Sequence, residues 1–134
     1  MVPLSIADRS RAEHRAWGEV LRHTLQARPE RVAFVVGGAL AFNLHAFNLR
    51  RDLDEAKELD ERVLESLKAG HWQALAELEP PLLEKAQPEA DLRHLEVLRG
   101  FLLDDVRGRV LEHETSPGLG TALVEFPLDP SPGD

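Results

Sequence analysis

A chain of 134 residues, 43% hydrophobic and 30% charged, is of single-domain size and buries roughly 65–70% of the surface that its unfolded form exposes. Its formal net charge of -8 argues against nucleic acid and anionic membranes as partners, because both reward clustered Lys and Arg. The absence of cysteine excludes disulfides, thiolate chemistry and cysteine-based metal centres.

The N-terminus, MVPLSIADRSRAEH, lacks a basic n-region and an apolar h-region, and no apolar run approaches the roughly 20 residues that span a bilayer; a cytoplasmic location is expected. Ser5 or Asp8 is placed to cap a first helix reaching about Ala27, with Trp17, Val20, Leu21, Thr24 and Leu25 as its core-facing stripe and Pro29 as its stop. Val32 to Val36 is a continuously apolar, β-branched run ending in Gly37-Gly38, which suits a buried strand with a sharp exit. Residues 40–51, LAFNLHAFNLRR, are unusually apolar for a loop, so Phe42, Leu44, Phe47 and Leu49 need a cover.

Asp52 or Asp54 is placed to cap a second helix, whose stripe is Ala56, Leu59, Val63, Leu64 and Leu67, with Glu58 and Arg62 as an i,i+4 pair and Gly70 as the stop. A short helix is expected over Trp72 to Leu78, a further turn at Leu82-Leu83, and a long helix opening at Pro88. Two strands follow, Arg107 to Thr115 and Thr121 to Phe126, joined by a turn at Ser116 to Gly120. The expected fold is therefore α/β: a small mixed sheet of about three strands packed with about four helices. It occupies one domain over residues 1–127, with an acidic, proline-rich flexible tail at 128–134.

The segment Arg31 to Phe42, RVAFVVGGALAF, resembles the final conserved strand and loop of the class III extradiol ring-cleavage dioxygenases, the LigB-like family that includes the protocatechuate 4,5-dioxygenase β subunit. In that family the loop reads like SGDLSH or GGLSH and closes on a histidine that acts as acid/base in opening a catechol ring. Phe42 stands here in its place, and a phenyl ring carries no proton. The helix RAEHRAWGEVLRHTLQARPERVAF, the stretch LDEAKELDERVLESLKAGHWQALAELEPPLLEKA, the helix DLRHLEVLRGFL and the closing SPGLGTALVEF resemble successive parts of the same family, so the resemblance covers nearly the whole chain.

It implies the fold of the family's C-terminal half. The half that precedes it in family members supplies two histidines that bind iron, and no residue here maps onto either. Asp91 falls at the place of the family's glutamate ligand, and one carboxylate does not hold an iron that takes two histidines and a carboxylate.

Other chemistry is sparse. His14, His23, His45, His71, His94 and His113 form no HxH or HExxH pattern, and Asp91 with His94 reads as an exposed or helix-terminal polar pair rather than half of a di-iron motif. Nucleophile-elbow, P-loop and dinucleotide fingerprints are missing. The expected function is that of a non-catalytic homologue acting through binding or assembly. It has no cofactor and no catalytic residue, and keeps a vestigial cleft around Gly37, Gly38, Phe42, His45 and Asp91. Two readings compete: one subunit of a split ring-opening dioxygenase, with Fe(II) held jointly with a partner chain resembling the family's N-terminal half, and a small-molecule module lined by Phe42 and Phe47. A homodimer is expected, with Phe42, Leu44 or Phe47 near its interface.

Overall fold

The structure, a computed structural model, describes residues 1–128, so the expected tail lies, apart from Leu128, outside the described residues. Five α-helices precede a β-hairpin: α1 Arg11–Gln26, α2 Leu44–Asn48, α3 Asp54–Ala69, α4 Pro80–Ala86, α5 Arg93–Leu102, β1 Arg109–Ser116 and β2 Leu119–Glu125. Short 3-10 turns at Trp72–Glu77 and Glu89–Leu92 flank α4. The fold is α/β, as expected, but its sheet holds two antiparallel strands rather than about three.

The third strand expected at Val32 to Val36 does not form. The run keeps strand character, with Phe34 and Val36 half-buried and Val35 between them pointing out, yet among the described residues no hydrogen bond engages the backbone of residues 31–38. Composition supplies the propensity for a strand, whereas a ladder also needs an adjacent edge at hydrogen-bonding distance. Pairing on the outer edge of β2 begins only at Leu40, whose N–H donates to the Gly120 carbonyl (2.9 Å), and continues antiparallel through Phe42 opposite Leu119.

Helix α1 starts at neither expected cap. Ser10 is the N-cap: its Oγ accepts from the Glu13 N–H (3.1 Å) and donates to the Glu13 carboxylate (3.2 Å). Nor is the stripe of Trp17, Val20 and Thr24 the buried face, since all three are exposed. Helix α1 instead packs through His14 and Gly18 onto α5. A Cβ at Gly18 would fall 2.0 Å from the Val97 carbonyl oxygen, and one at Gly100 would fall 1.9 Å from that of Arg15. Arg11 reaches Asp91 and Glu96, Arg15 reaches Glu96, and Arg22 reaches Phe101, so contacts advance together along both helices and the pair is parallel.

Helix α3 is the central element. Its stripe of Ala56, Leu59, Val63, Leu64 and Leu67 is buried as expected, and Gly70 ends it at φ 74, a conformation natural to glycine. Its N-cap is Leu53, and neither Asp52 nor Asp54 caps it by a side-chain bond; Asp54 lies in the first turn, where its charge suits the helix dipole. Trp72, fully buried, packs on this stripe and satisfies its indole by donating to the Val106 carbonyl (2.9 Å). Pro80 opens α4, a seven-residue helix where only a turn was expected. Pro88 does not open the last helix: Ala90, Asp91 and Leu92 have φ of 51, 52 and 61, which no right-handed helix accommodates, and α5 begins at Arg93. The hairpin turns at Pro117-Gly118, and a bulge between Val110 and Glu112 turns Leu111 outward.

Candidate functional site

Three elements grip the loop after the unpaired run. Ala41, fully buried, donates its N–H to Asp60 Oδ1 on α3 (3.0 Å). Phe42 donates its N–H to the Ala86 carbonyl at the end of α4 (3.0 Å), and its ring is half-buried. Asn43 accepts from the Ala46 N–H (3.0 Å), capping α2, and donates its side-chain amide to the Lys85 carbonyl (2.8 Å).

Asp60 anchors this arrangement. It is 1% exposed, and its second oxygen lies 3.0 Å from His113 Nε2 on β1, while Gly120 of β2 is so close that a Cβ there would fall 1.6 Å from Oδ2. A buried carboxylate is costly without hydrogen-bond donors, and a backbone amide and an imidazole supply them. The carboxylate thus ties α3, the Phe42 loop and the hairpin together. Sequence reasoning missed it, although the signal was present: Asp60 falls on the buried stripe of α3, one residue after Leu59 and three before Val63.

A second buried polar group lies under the unpaired run. His94, 3% exposed in the first turn of α5, has its pKa held below the ordinary 6.5, because burial penalises the imidazolium more than the negative charge of Glu89 favours it. Its ring is neutral at pH 7, and its Nδ1 is buried without a hydrogen-bond partner. Gly38 rests on the ring: a Cβ there would lie 2.8 Å from Cε1 and Nε2, so only glycine fits. The expected exposed pair of Asp91 and His94 is therefore split, because the kink at Ala90 to Leu92 turns Asp91 outward while His94 goes inward.

Two clefts flank the run. One, of about 590 Å³, lies between Val32–Val36 and β2, over Leu64, Leu67 and Leu98; the other, of about 750 Å³, lies between the run and the N-terminal segment, with His14 and Trp17 on its wall. Phe34, stacked on Phe101 with centroids 3.9 Å apart, and His94 line both. Both volumes suit a small molecule, and a neutral imidazole in apolar walls offers it one hydrogen bond.

The five candidates from sequence do not converge. Gly38 lines the first cleft and Gly37 the second, whereas Phe42, His45 and Asp91 line neither. His45 is exposed on α2, three residues beyond Phe42. Asp91 is exposed, its carbonyl accepting from Arg11 (2.9 Å) and its carboxylate bonded to nothing among the described residues. Among the described residues, no group of three or more His, Asp and Glu side chains could hold a metal ion, so these donors by themselves do not fit an iron. Among the described residues, no helix is long and apolar enough to cross a membrane.

A family model matches the chain over residues 1–124: that of the catalytic LigB subunit of aromatic ring-opening dioxygenase. No curated protein matches it.

Proposed function

The chain belongs to the LigB family of aromatic ring-opening dioxygenase subunits, and we propose that it is a non-catalytic member, acting by binding or assembly. One observation carries this reading. Where the resemblance puts the acid/base histidine stands Phe42, its backbone fixed between Ala86 and Leu119, so the loop geometry is built around a ring that cannot transfer a proton. His45 does not stand in its place: it lies three residues on, exposed on α2.

The test is direct. Purified protein supplied with Fe(II) and protocatechuate is expected to open no ring, and formation of the ring-opened product above a protein-free control would refute the reading. Assembly has a second support, the apolar surface of Leu44, Phe47 and Leu49, exposed at 47%, 41% and 50% beside Phe42. A homodimer covering it is expected by sedimentation at micromolar concentration, and a monomer would remove that support.

The exposed Asp91 carboxylate, without a partner among the described residues, favours a second reading: a subunit of a split iron-dependent dioxygenase, with the remaining ligands on another chain. Under it, protein isolated from its native cell arrives with such a chain and with iron. Under the first, it arrives without iron.

A further inference from the structure

We propose that Val32–Val36 is a hinged strap, which swings about Gly37-Gly38 onto the free outer edge of β2 and closes the cleft between them. The docked end of this motion is already in place. Leu40 N–H donates to the Gly120 carbonyl (2.9 Å), Gly120 N–H donates to the Ala41 carbonyl (3.0 Å), and Asn43 N–H donates to the Gly118 carbonyl (2.8 Å), so the chain through Leu40 to Asn43 runs antiparallel to the start of β2. Leu40 and Ala41 both oppose Gly120, which makes the junction a bulge and sets the offset of everything upstream. Continued with that offset, Gly38 falls opposite Ala122, Val36 opposite Val124, and Val35 opposite Glu125.

The cleft of about 590 Å³ lies between these two lengths of chain, lined on one side by Val32–Val36 and on the other by Ala122–Phe126. No hydrogen bond holds the strap back, since the backbone of residues 31–38 bonds to nothing among the described residues. Its side chains alternate as a strand's do, Phe34 and Val36 inward and Val35 85% exposed, so docking requires no reversal of faces. The hinge is equally specific. A Cβ at Gly37 would meet nothing within 4 Å, so this residue is sterically free, whereas Gly38 lies in contact with the buried His94 ring and is the fulcrum. Because the strap also walls the cleft of about 750 Å³ on its other side, closing one cleft widens the other.

The chain has no cysteine, so an introduced pair reports on this motion without background. Val35→Cys with Glu125→Cys places two exposed thiols opposite each other only in the docked state, as a non-hydrogen-bonded pair at a Cα spacing of about 4.5 Å, which a disulfide accepts. Val32→Cys with Thr121→Cys is the control, because the antiparallel offset keeps those positions about seven residues, or roughly 23 Å, apart along the strands. In the full-length protein under mild oxidant, the first pair is expected to form an intramolecular disulfide and the second none. The oxidised first pair should also slow amide hydrogen exchange at Gly38 and Val36, whose amides then face β2. No intramolecular bridge in the first pair, equal bridging in both, or a bridge between two molecules would overturn the proposal. So would an intramolecular bridge without slowed exchange.

Discussion

Asp60 carries more of the local architecture than its size suggests, because one carboxylate receives the Ala41 amide and the His113 imidazole and stands against Gly120. The three contacts predict a ranking. Gly120→Ala should be the most damaging, since a Cβ 1.6 Å from Oδ2 must evict the carboxylate from both partners; about 3 kcal/mol is expected, the scale of leaving a buried carboxylate without its hydrogen-bond donors. Asp60→Ala leaves the Ala41 N–H buried and unpaired and should cost about 2 kcal/mol. His113→Ala should cost about 1 kcal/mol or less, because that ring is 27% exposed and water takes over part of its role. Urea unfolding midpoints measure all three, and His113→Ala as severe as Gly120→Ala would show that the imidazole rather than the carboxylate is the anchor. Gly37→Ala is the counterpart: with no atom within 4 Å of its new methyl group and no positive φ, it should change stability by no more than about 0.5 kcal/mol.

Among the elements, the parallel pair α1 and α5 is set by glycine rather than by a large apolar stripe. Gly18 sits on the Val97 carbonyl and Gly100 on that of Arg15, so the backbones touch without intervening side chains. Either Gly18→Ala or Gly100→Ala must push the helices apart, for a cost of about 3 kcal/mol or more, and thermal unfolding of the two variants tests whether the interface is that close. Tolerance of both, with unchanged melting, would mean a looser crossing. This interface explains part of what the sequence did not disclose. The 3.6-residue periodicity made α3, its Gly70 stop and its buried stripe legible, and alternation with a Pro-Gly turn made the hairpin legible. Trp17 and Val20 misled because amphipathic reading assumes that large side chains face the core, whereas a close crossing buries the small ones. The Val32–Val36 run misled for the complementary reason, its partner edge being about ninety residues away, where no local pattern registers whether pairing reaches it. Of the candidate site, Gly38 was legible as part of a sharp exit from the apolar run, though its partner His94 was not, because the positive φ values at Ala90 to Leu92 that turn this imidazole inward follow from tertiary packing and not from residue type.

At the scale of the whole molecule, the burial of His94 makes stability depend on pH, and the sign follows from which state binds the proton. Burial lowers the pKa of this imidazole in the fold, while in the unfolded chain it returns to about 6.5, so below that value the unfolded state takes up a proton that the folded state refuses. Its contribution is therefore present in full above the unfolded pKa and is lost as pH falls from there toward the lowered folded value, with a limiting slope of about 1.4 kcal/mol per pH unit. The chain holds five further histidines, so the informative quantity is a difference. His94→Leu removes the group and leaves an apolar side chain under Gly38, and the stability gap between wild type and variant should be constant above about pH 7.5 and shift toward the variant as pH falls to about 5. Denaturant titrations at half-unit intervals provide that curve. A gap that stays level would mean that burial does not shift His94, whereas one that moves toward the wild type in acid would mean that the fold favours the protonated ring, and the neutral imidazole assigned to the wall shared by the two clefts would have to be replaced by a cation.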